Sequence, residues 1–243
     1  MADLKSRTSF GVRSAGSKIC VSIYGRTLTE LGSKLRLARK FRPSFIELRL
    51  DYLHEPDLDD ISRIAKVLVG SEILTFRSKG EGGAARISEQ KRLEIIHAIV
   101  SCKPPYLDLE VATLDSHPDL IERVEASGSK LIASSHDFSS LEGLDDLKNL
   151  VRRVSKLTPL YAIKIVRRAR IFDDNQRILS LYWLASEIAP IKLIAFCAGP
   201  LGVLSRVACV ENGSPLTFTS LPNEKTAPGQ LEVQTMQTLF SYW

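Results

Sequence analysis

The stretch "SFIELRLD", residues 44–51, places Glu47, Arg49 and Asp51 at every second position, with Ile46, Leu48 and Leu50 between them. In a strand, side chains two apart share a face, so the three charges point one way and the aliphatic residues the other. A parallel sheet covered by helices on both faces has no wet side for them. A parallel sheet closed into a barrel has one, because its interior opens at the C-terminal ends of the strands, where functional groups collect.

Working outward, apolar runs of strand length recur every 25 to 30 residues or so, the length of one βα unit. They are "KICVSIY" (18–24), "SEILTFR" (71–77), "PYLDLEV" (105–111), "SKLIASSH" (129–136), "LYAIKIV" (160–166), "IKLIAF" (191–196) and "PLTFTS" (215–220). Amphipathic stretches lie between, among them Leu28 to Phe41, Ile87 to Val100 and Leu144 to Leu157. Alternating β and α predicts a parallel sheet, and eight units predict an α/β (β/α)8 TIM barrel. The runner-up, a doubly wound open sheet, usually carries G-x-G-x-x-G after its first strand; "VSIYGRTLTE" does not. Without a Pro/Gly/Ser-rich linker, the expectation is one catalytic domain over 18–243, preceded by a flexible polar tail over 1–17.

If the fold is a barrel, the other strand ends should carry polar groups too, and they do. Strand 1 offers Ser22, strand 3 ends in Arg77, strand 4 brings Asp108 and Glu110, and strand 5 ends in "SSHDF" with His136. Arg206 follows strand 7. Strand 6 carries Lys164, with Ala162 on its face and Ile163 and Ile165 turned to the helices. Any one acid or arginine here could be a purely structural ion pair, and a lone histidine could be a satisfied core residue. Lys164 is harder to explain that way, because burying an ammonium costs several kcal/mol on a rough scale unless it is paired, neutral or reacting. The joint pattern has a chemical meaning. A neutral lysine amine attacks a ketone or aldehyde to give an imine, an electron sink that acidifies the neighbouring C–H. A histidine shuttles that proton at neutral pH, and arginines grip a carboxylate or phosphate.

Composition excludes several classes. The 243 residues are 44% hydrophobic and 25% charged, with a net charge of +5. No apolar run approaches the roughly 20 residues needed to span a bilayer, and the N-terminal stretch lacks a hydrophobic signal core, so a cytoplasmic protein with no membrane partner is expected. Basic residues are mixed with acids and not interleaved with aromatics, which speaks against nucleic acid. Cys20, Cys102, Cys197 and Cys209 are scattered, and the four histidines form no close pair; reduced thiols and no protein-built metal site are expected.

These residues resemble the type I 3-dehydroquinate dehydratase family, the Schiff-base lyases of the shikimate pathway. The motifs "ELRLD", "TFRSKGEGG", "DLE", "SSHDF", the strand-6 lysine, "GVLSR" and "TAPGQ" occur in the family's order, across nearly the whole chain. The resemblance implies dehydration of 3-dehydroquinate to 3-dehydroshikimate, the third step toward chorismate and the aromatic amino acids. It implies Lys164 as the imine-forming lysine, His136 as general acid/base and Glu81 as the glutamate beside it. Glu47, Arg49 and Arg77 match groups that hold the substrate hydroxyls, and Arg206 matches the carboxylate-binding arginine. Thr226 and Gln230 match the closing loop, and Ser22 contributes to binding. No metal or organic cofactor is implied, since the lysine is itself the electron sink; a homodimer is, since family members are often dimers. Thr226 stands where the family commonly has Ser, and the hydroxyl is kept. Strand 7, "LIAFCAGPLGVLSR", lacks the methionines of many members, which changes pocket packing. The alternatives are a class I aldolase on the same fold, against which "TAPGQ" and "SSHDF" speak, and a catalytically idle metabolite sensor, which would have lost the lysine or the histidine.

Overall fold

A computed structural model describes residues 18–54, 56–139, 143–187 and 191–242; the tail expected over 1–17 lies outside the described residues. In chain order the elements are β1 (Ile19–Tyr24), α1 (Leu28–Lys40), β2 (Phe45–Arg49), α2 (Leu58–Ala65), β3 (Glu72–Thr75), α3 (Glu89–Ser101), β4 (Tyr106–Glu110), α4 (Val111–Ser116), α5 (Asp119–Ser127), β5 (Lys130–Asp137), α6 (Leu144–Val154), β6 (Leu160–Arg168), α7 (Asp174–Leu179), α8 (Leu181–Glu187), β7 (Leu193–Ala198), α9 (Val203–Ala208), β8 (Thr217–Ser220) and α10 (Val233–Ser241). The connections from β4 to β5 and from β6 to β7 each hold two helices where the periodicity suggested one.

All eight strands are parallel, in the order β7-β6-β5-β4-β3-β2-β1-β8. Among the described residues no ladder joins β7 to β8, so the (β/α)8 barrel is nearly closed, with one open seam. Arg206 of α9 spans it. Its guanidinium carbon lies 4.3 Å from the ring centroid of Phe196 on β7, and its Nη1 donates to the Phe218 carbonyl of β8 at 3.3 Å.

Local signals explain the helices that brace the barrel. Thr27 caps α1 by accepting the Glu30 N–H, with Arg39 and Lys40 in the last turn, each arrangement favourable at the helix end it occupies. Leu31, Leu35 and Ala38 bury one stripe of that helix. Asp57 and Asp60 form a capping box at the start of α2. Ile46, Leu48, Ile163 and Ile165 are buried with these stripes in one apolar core, each removing roughly 1.5–3 kcal/mol worth of side chain from water. At the strand starts, Phe45, Tyr106 and Tyr161 meet edge-on, with centroids 5.0 and 4.9 Å apart in successive pairs. They form an aromatic floor, and the polar residues stand above it.

Three expectations change. β3 stops at Thr75, so Arg77 leaves the strand before its side chain turns inward. Asp51 lies in a 3-10 turn, Leu50–Tyr52, where its carboxylate accepts the N–H groups of Arg77 and Ala84 at 3.4 and 2.9 Å; it braces the next βα loop. Arg167 breaks the rule that polar strand residues face inward. It follows Ile163 and Ile165 on the helix side and is 1% exposed, with its guanidinium donating to the carbonyls of Ser135 and Val166.

Candidate active site

At the C-terminal mouth lies a cavity of about 360 Å³ whose walls include Ser22, Glu47, Arg49, Arg77, Glu81, His136, Lys164, Arg206, Thr226 and Gln230. All ten residues that the resemblance assigned to the site therefore meet at one place. Strand register accounts for the centre, because Ser22 pairs with Glu47 and Ser134 with Lys164 across adjacent strands.

Lys164 is 4% exposed. Its Nζ is 2.9 Å from Asp108 Oδ2, 3.4 Å from Glu47 Oε1, and 3.9 Å from the centroid of the Phe218 ring. Its nearest charged partners are thus carboxylates, not cations. Glu47 also accepts from Ser22 Oγ at 2.6 Å and Thr75 Oγ1 at 3.1 Å. Burial raises the Glu47 pKa, but the positive charges of Lys164 and Arg49 outweigh it and hold the carboxyl below its ordinary range. Asp108 is held down further, at about 2, because Arg77 and Lys164 overcome its burial.

His136 ends the inward row of β5. Glu81 Oε2 lies 2.9 Å from both its ring Nδ1 and its backbone nitrogen. Burial, then the charges of Arg77 and Lys164, push His136 well below its ordinary 6.5, so the ring is neutral. Burial pushes Glu81 up to about 7 despite the pull of Arg77. An ionised Glu81 accepts Nδ1–H and leaves Nε2 with its lone pair free, the tautomer a base requires. Glu81 sits in the 3-10 turn Lys79–Glu81. The next residues of "GEGG" must be small there, since a Cβ on Gly83 would lie 2.0 Å from the Arg77 carbonyl oxygen.

The arginines differ. Arg49 is bound bidentately by Asp51, both bonds at 2.8 Å. Arg77 is engaged by Asp108 at 2.7 Å, Ser134 Oγ at 2.6 Å and Glu81 at 3.5 Å, so much of its hydrogen-bonding capacity is spent on the protein itself. Arg206 has no carboxylate partner among the described residues, and its buried Nε has no acceptor. Gln230 Oε1 accepts from Thr226 N and Oγ1 at 2.8 and 3.0 Å, folding the 226–230 loop over the cavity. Gly199 N donates to the Pro228 carbonyl at 3.0 Å and fastens the loop to the end of β7.

Residues the sequence reading left out of the site are Asp108, noted there only as a strand charge, and the rings of Phe138, Phe196 and Phe218, which line the cavity or hold its groups. "DLE" carried the signal for Asp108, two residues before Glu110 and on the same face. The phenylalanines carried none, since an aromatic at a strand end reads as core. Glu110 does not line the cavity; it accepts Ser78 N at 2.6 Å and lies 3.2 Å from Arg92 and 3.6 Å from Arg77. Among the described residues no group of three His, Cys, Asp or Glu side chains is arranged to hold a metal ion, and no helix is long and apolar enough to cross a membrane.

Eight parallel strands with this lysine, histidine and arginine at their C-terminal ends define a (β/α)8-barrel enzyme. Comparison with known proteins narrows the class. Residues 19–243 match the type I 3-dehydroquinase model, and the chain belongs to that family. It is 33% identical to the 3-dehydroquinate dehydratase of Syntrophobacter fumaroxidans, over 80% of this chain and 84% of the relative. It is 28% identical to that of Methanococcus maripaludis, over 91% and 97%. A crystal structure of the type I 3-dehydroquinate dehydratase of Clostridium difficile, with covalently modified comenic acid, superposes with a TM-score of 0.83 at 22% identity. The superposition covers 93% of this chain and 91% of that one, which establishes the shared fold.

Proposed function

We propose that the cavity dehydrates 3-dehydroquinate to 3-dehydroshikimate through an imine on Lys164. Family membership makes the chain a 3-dehydroquinate dehydratase, a carbon–oxygen lyase of the shikimate pathway; the residue roles are our reading. The observation that carries it is the pairing, in one cavity, of a buried lysine with a neutral histidine held by a carboxylate.

Lys164 Nζ, its proton passing to the carbonyl oxygen, adds to the substrate ketone. Loss of water from that carbon leaves a protonated imine. His136 Nε2 removes a proton from the adjacent carbon, and the C–H electron pair moves onto the imine nitrogen. The pair returns as the C–O bond beyond breaks, and the imidazolium gives its proton to the departing hydroxyl. Water then hydrolyses the imine, so that one water leaves overall. Glu81 holds the tautomer, Glu47, Arg49 and Arg77 face the substrate hydroxyls, and Ser22 orients Glu47. Arg206 receives the carboxylate, which supplies the partner its guanidinium lacks, and Thr226 and Gln230 hold the loop over the bound ring.

No cofactor enters this scheme. In the same reading the protein is cytoplasmic, a homodimer, and binds no nucleic acid. Cys20, Cys197 and Cys209 are buried free thiols, in keeping with a reducing compartment, and light scattering on the purified protein reads the oligomer. The test of the chemistry is borohydride reduction with 3-dehydroquinate, followed by mass spectrometry. A covalent mass on the β6 peptide is expected, and Lys164→Ala should lose both label and turnover. A fully active Lys164→Ala protein would remove the imine from the mechanism.

A further inference from the structure

Lysine has four rotatable side-chain bonds, so something must aim Nζ before the ketone arrives. Glu47 faces the cavity and serves the substrate as well. Asp108 does not line the cavity, is 2% exposed, and has its two oxygens unequally committed. Oδ1 takes Arg77 Nη2 at 2.7 Å and Ser134 Oγ at 2.6 Å. Arg77 Nη1 in turn donates to the same Ser134 hydroxyl at 2.6 Å. Oδ2 is left for Lys164 at 2.9 Å. The four groups come from the loop after β3 and from β4, β5 and β6, a belt fixed by strand register, with Thr75 beside Asp108 and Ser134 beside Lys164.

We propose that Asp108 is the positioning residue of the nucleophile, clamped by Arg77 and Ser134 so that Lys164 is aimed before substrate enters. The proposal rests on the reading of Lys164 as the imine-forming residue. Asp108 touches no substrate and acts only through Nζ. A charge alone would not suffice, because Glu47 supplies one at 3.4 Å; Asp108 adds a rigid direction. A misplacement of about 1 Å in a reacting group costs on the order of 10²-fold in rate.

The experiment is rapid-quench borohydride trapping, measuring the rate of adduct formation from 3-dehydroquinate for wild type, Asp108→Asn, Asp108→Glu and Ser134→Ala, with a melting curve for each. Asp108→Asn should form adduct on the order of 10²-fold more slowly, and Ser134→Ala should be slowed to a smaller extent. Binding of 3-dehydroshikimate under non-reducing conditions should stay near wild type in Ser134→Ala. Asp108→Glu keeps the charge but moves the carboxylate, and should stay slow; restoration of the wild-type rate there would show that charge, not direction, is what Asp108 supplies. A purely structural Asp108 would lower the melting temperature and leave adduct formation in the folded fraction unchanged, which overturns the proposal. Should Asp108→Asn fail to fold, Ser134→Ala decides, since it removes one hydroxyl, and a wild-type rate there overturns the clamp. Adduct formation in Lys164→Ala is the separate outcome that would defeat the underlying reading instead.

Discussion

Replacing Arg206 by methionine separates what the site requires from what the fold requires. The guanidinium is 2% exposed, and burial pushes its pKa down to about 10 from 12.5. A basic group whose folded pKa lies below its unfolded one is strained in its charged form, and that strain is fully present at every pH below the folded value. At roughly 1.4 kcal/mol per pH unit, the burden on the folded state at pH 7 is roughly 3 kcal/mol. Methionine removes the burden. It also leaves the Phe218 carbonyl without a donor, worth roughly 1–3 kcal/mol, and gives up the contact with the Phe196 ring, worth roughly 1 kcal/mol. These terms nearly cancel, so Arg206→Met should unfold in urea within about 2 kcal/mol of wild type. Large-to-small changes in a core commonly lose about 2–5 kcal/mol. Ligand linkage should change far more. Two charge-assisted hydrogen bonds to a carboxylate, at roughly 1.5–3 kcal/mol each, correspond to at least about 10²-fold in affinity. Saturating 3-dehydroshikimate should therefore shift the wild-type urea midpoint and leave that of Arg206→Met in place. A variant that keeps wild-type affinity, or one destabilised by more than about 4 kcal/mol, would show that Arg206 has its partner inside the protein.

Ionised Glu81 holds Nδ1–H more strongly than the neutral acid and stabilises the imidazolium, so turnover should fall as pH drops through about 7; Glu81→Gln should lose that limb in a kcat–pH profile and be slower on the alkaline side. In stability the sign is opposite. An acid with a raised folded pKa costs the fold progressively more as pH rises from the unfolded value to about 7, and urea titrations should find Glu81→Gln gaining on wild type over that window. His136→Ala should lose turnover by roughly 10²- to 10⁴-fold yet still accumulate a borohydride-trappable adduct on Lys164; a fully active variant would return His136 to a structural role. Gly229 has φ +74 and a Cβ there would lie 2.2 Å from the Gly199 carbonyl oxygen, so Gly229→Ala must lift the 226–230 loop. Its kcat/KM should drop by up to about 10²-fold, with adduct formation at saturating substrate less affected.

The barrel was legible because parallel strands under helices leave a charge only one direction to point. Glu47 and Arg49 on alternate positions of β2 were enough to say where the interior lay, and Lys164 did the same for β6. Arg167 shows where the rule fails. Its long side chain reaches along the outer face to the carbonyls of Ser135 and Val166, and strand alternation alone does not tell such a residue from an inward one. The division of labour among the arginines was likewise not written in the motifs. Arg49, Arg77 and Arg206 look alike as letters, yet Asp51 holds the first, Asp108, Ser134 and Glu81 the second, and no carboxylate among the described residues the third. The Arg49–Asp51 pair is local, two residues apart, but the hold of Asp108 and Ser134 on Arg77 joins residues 31 and 57 apart in the chain, which no local pattern encodes. Ser134 was visible in "SSHDF", but nothing in that run distinguishes it from Ser135, which faces the helices and Arg167.

The distribution of partners has a consequence for recognition. Lys164 is flanked by Asp108 and Glu47, and Arg49 and Arg77 each face a carboxylate inside the protein, so the inner part of the cavity is close to balanced before any ligand binds. Among the described residues the buried arginine of the cavity without a carboxylate partner is Arg206, at the barrel's open seam between Phe196 and Phe218, while Arg168 lies exposed at the rim. An anion is therefore favoured at the seam and not beside Lys164, where it would compete with Asp108 and Glu47. The Phe218 ring lies under Lys164 Nζ while its carbonyl is bound by Arg206, so one residue ties the proposed nucleophile and the proposed anion site to a common frame. A small ring bearing a ketone at one end and a carboxylate at the other can satisfy both at once, because desolvation makes each end want a different group. A neutral ketone would leave Arg206 buried and unpaired, and a simple carboxylate would offer Lys164 nothing to attack.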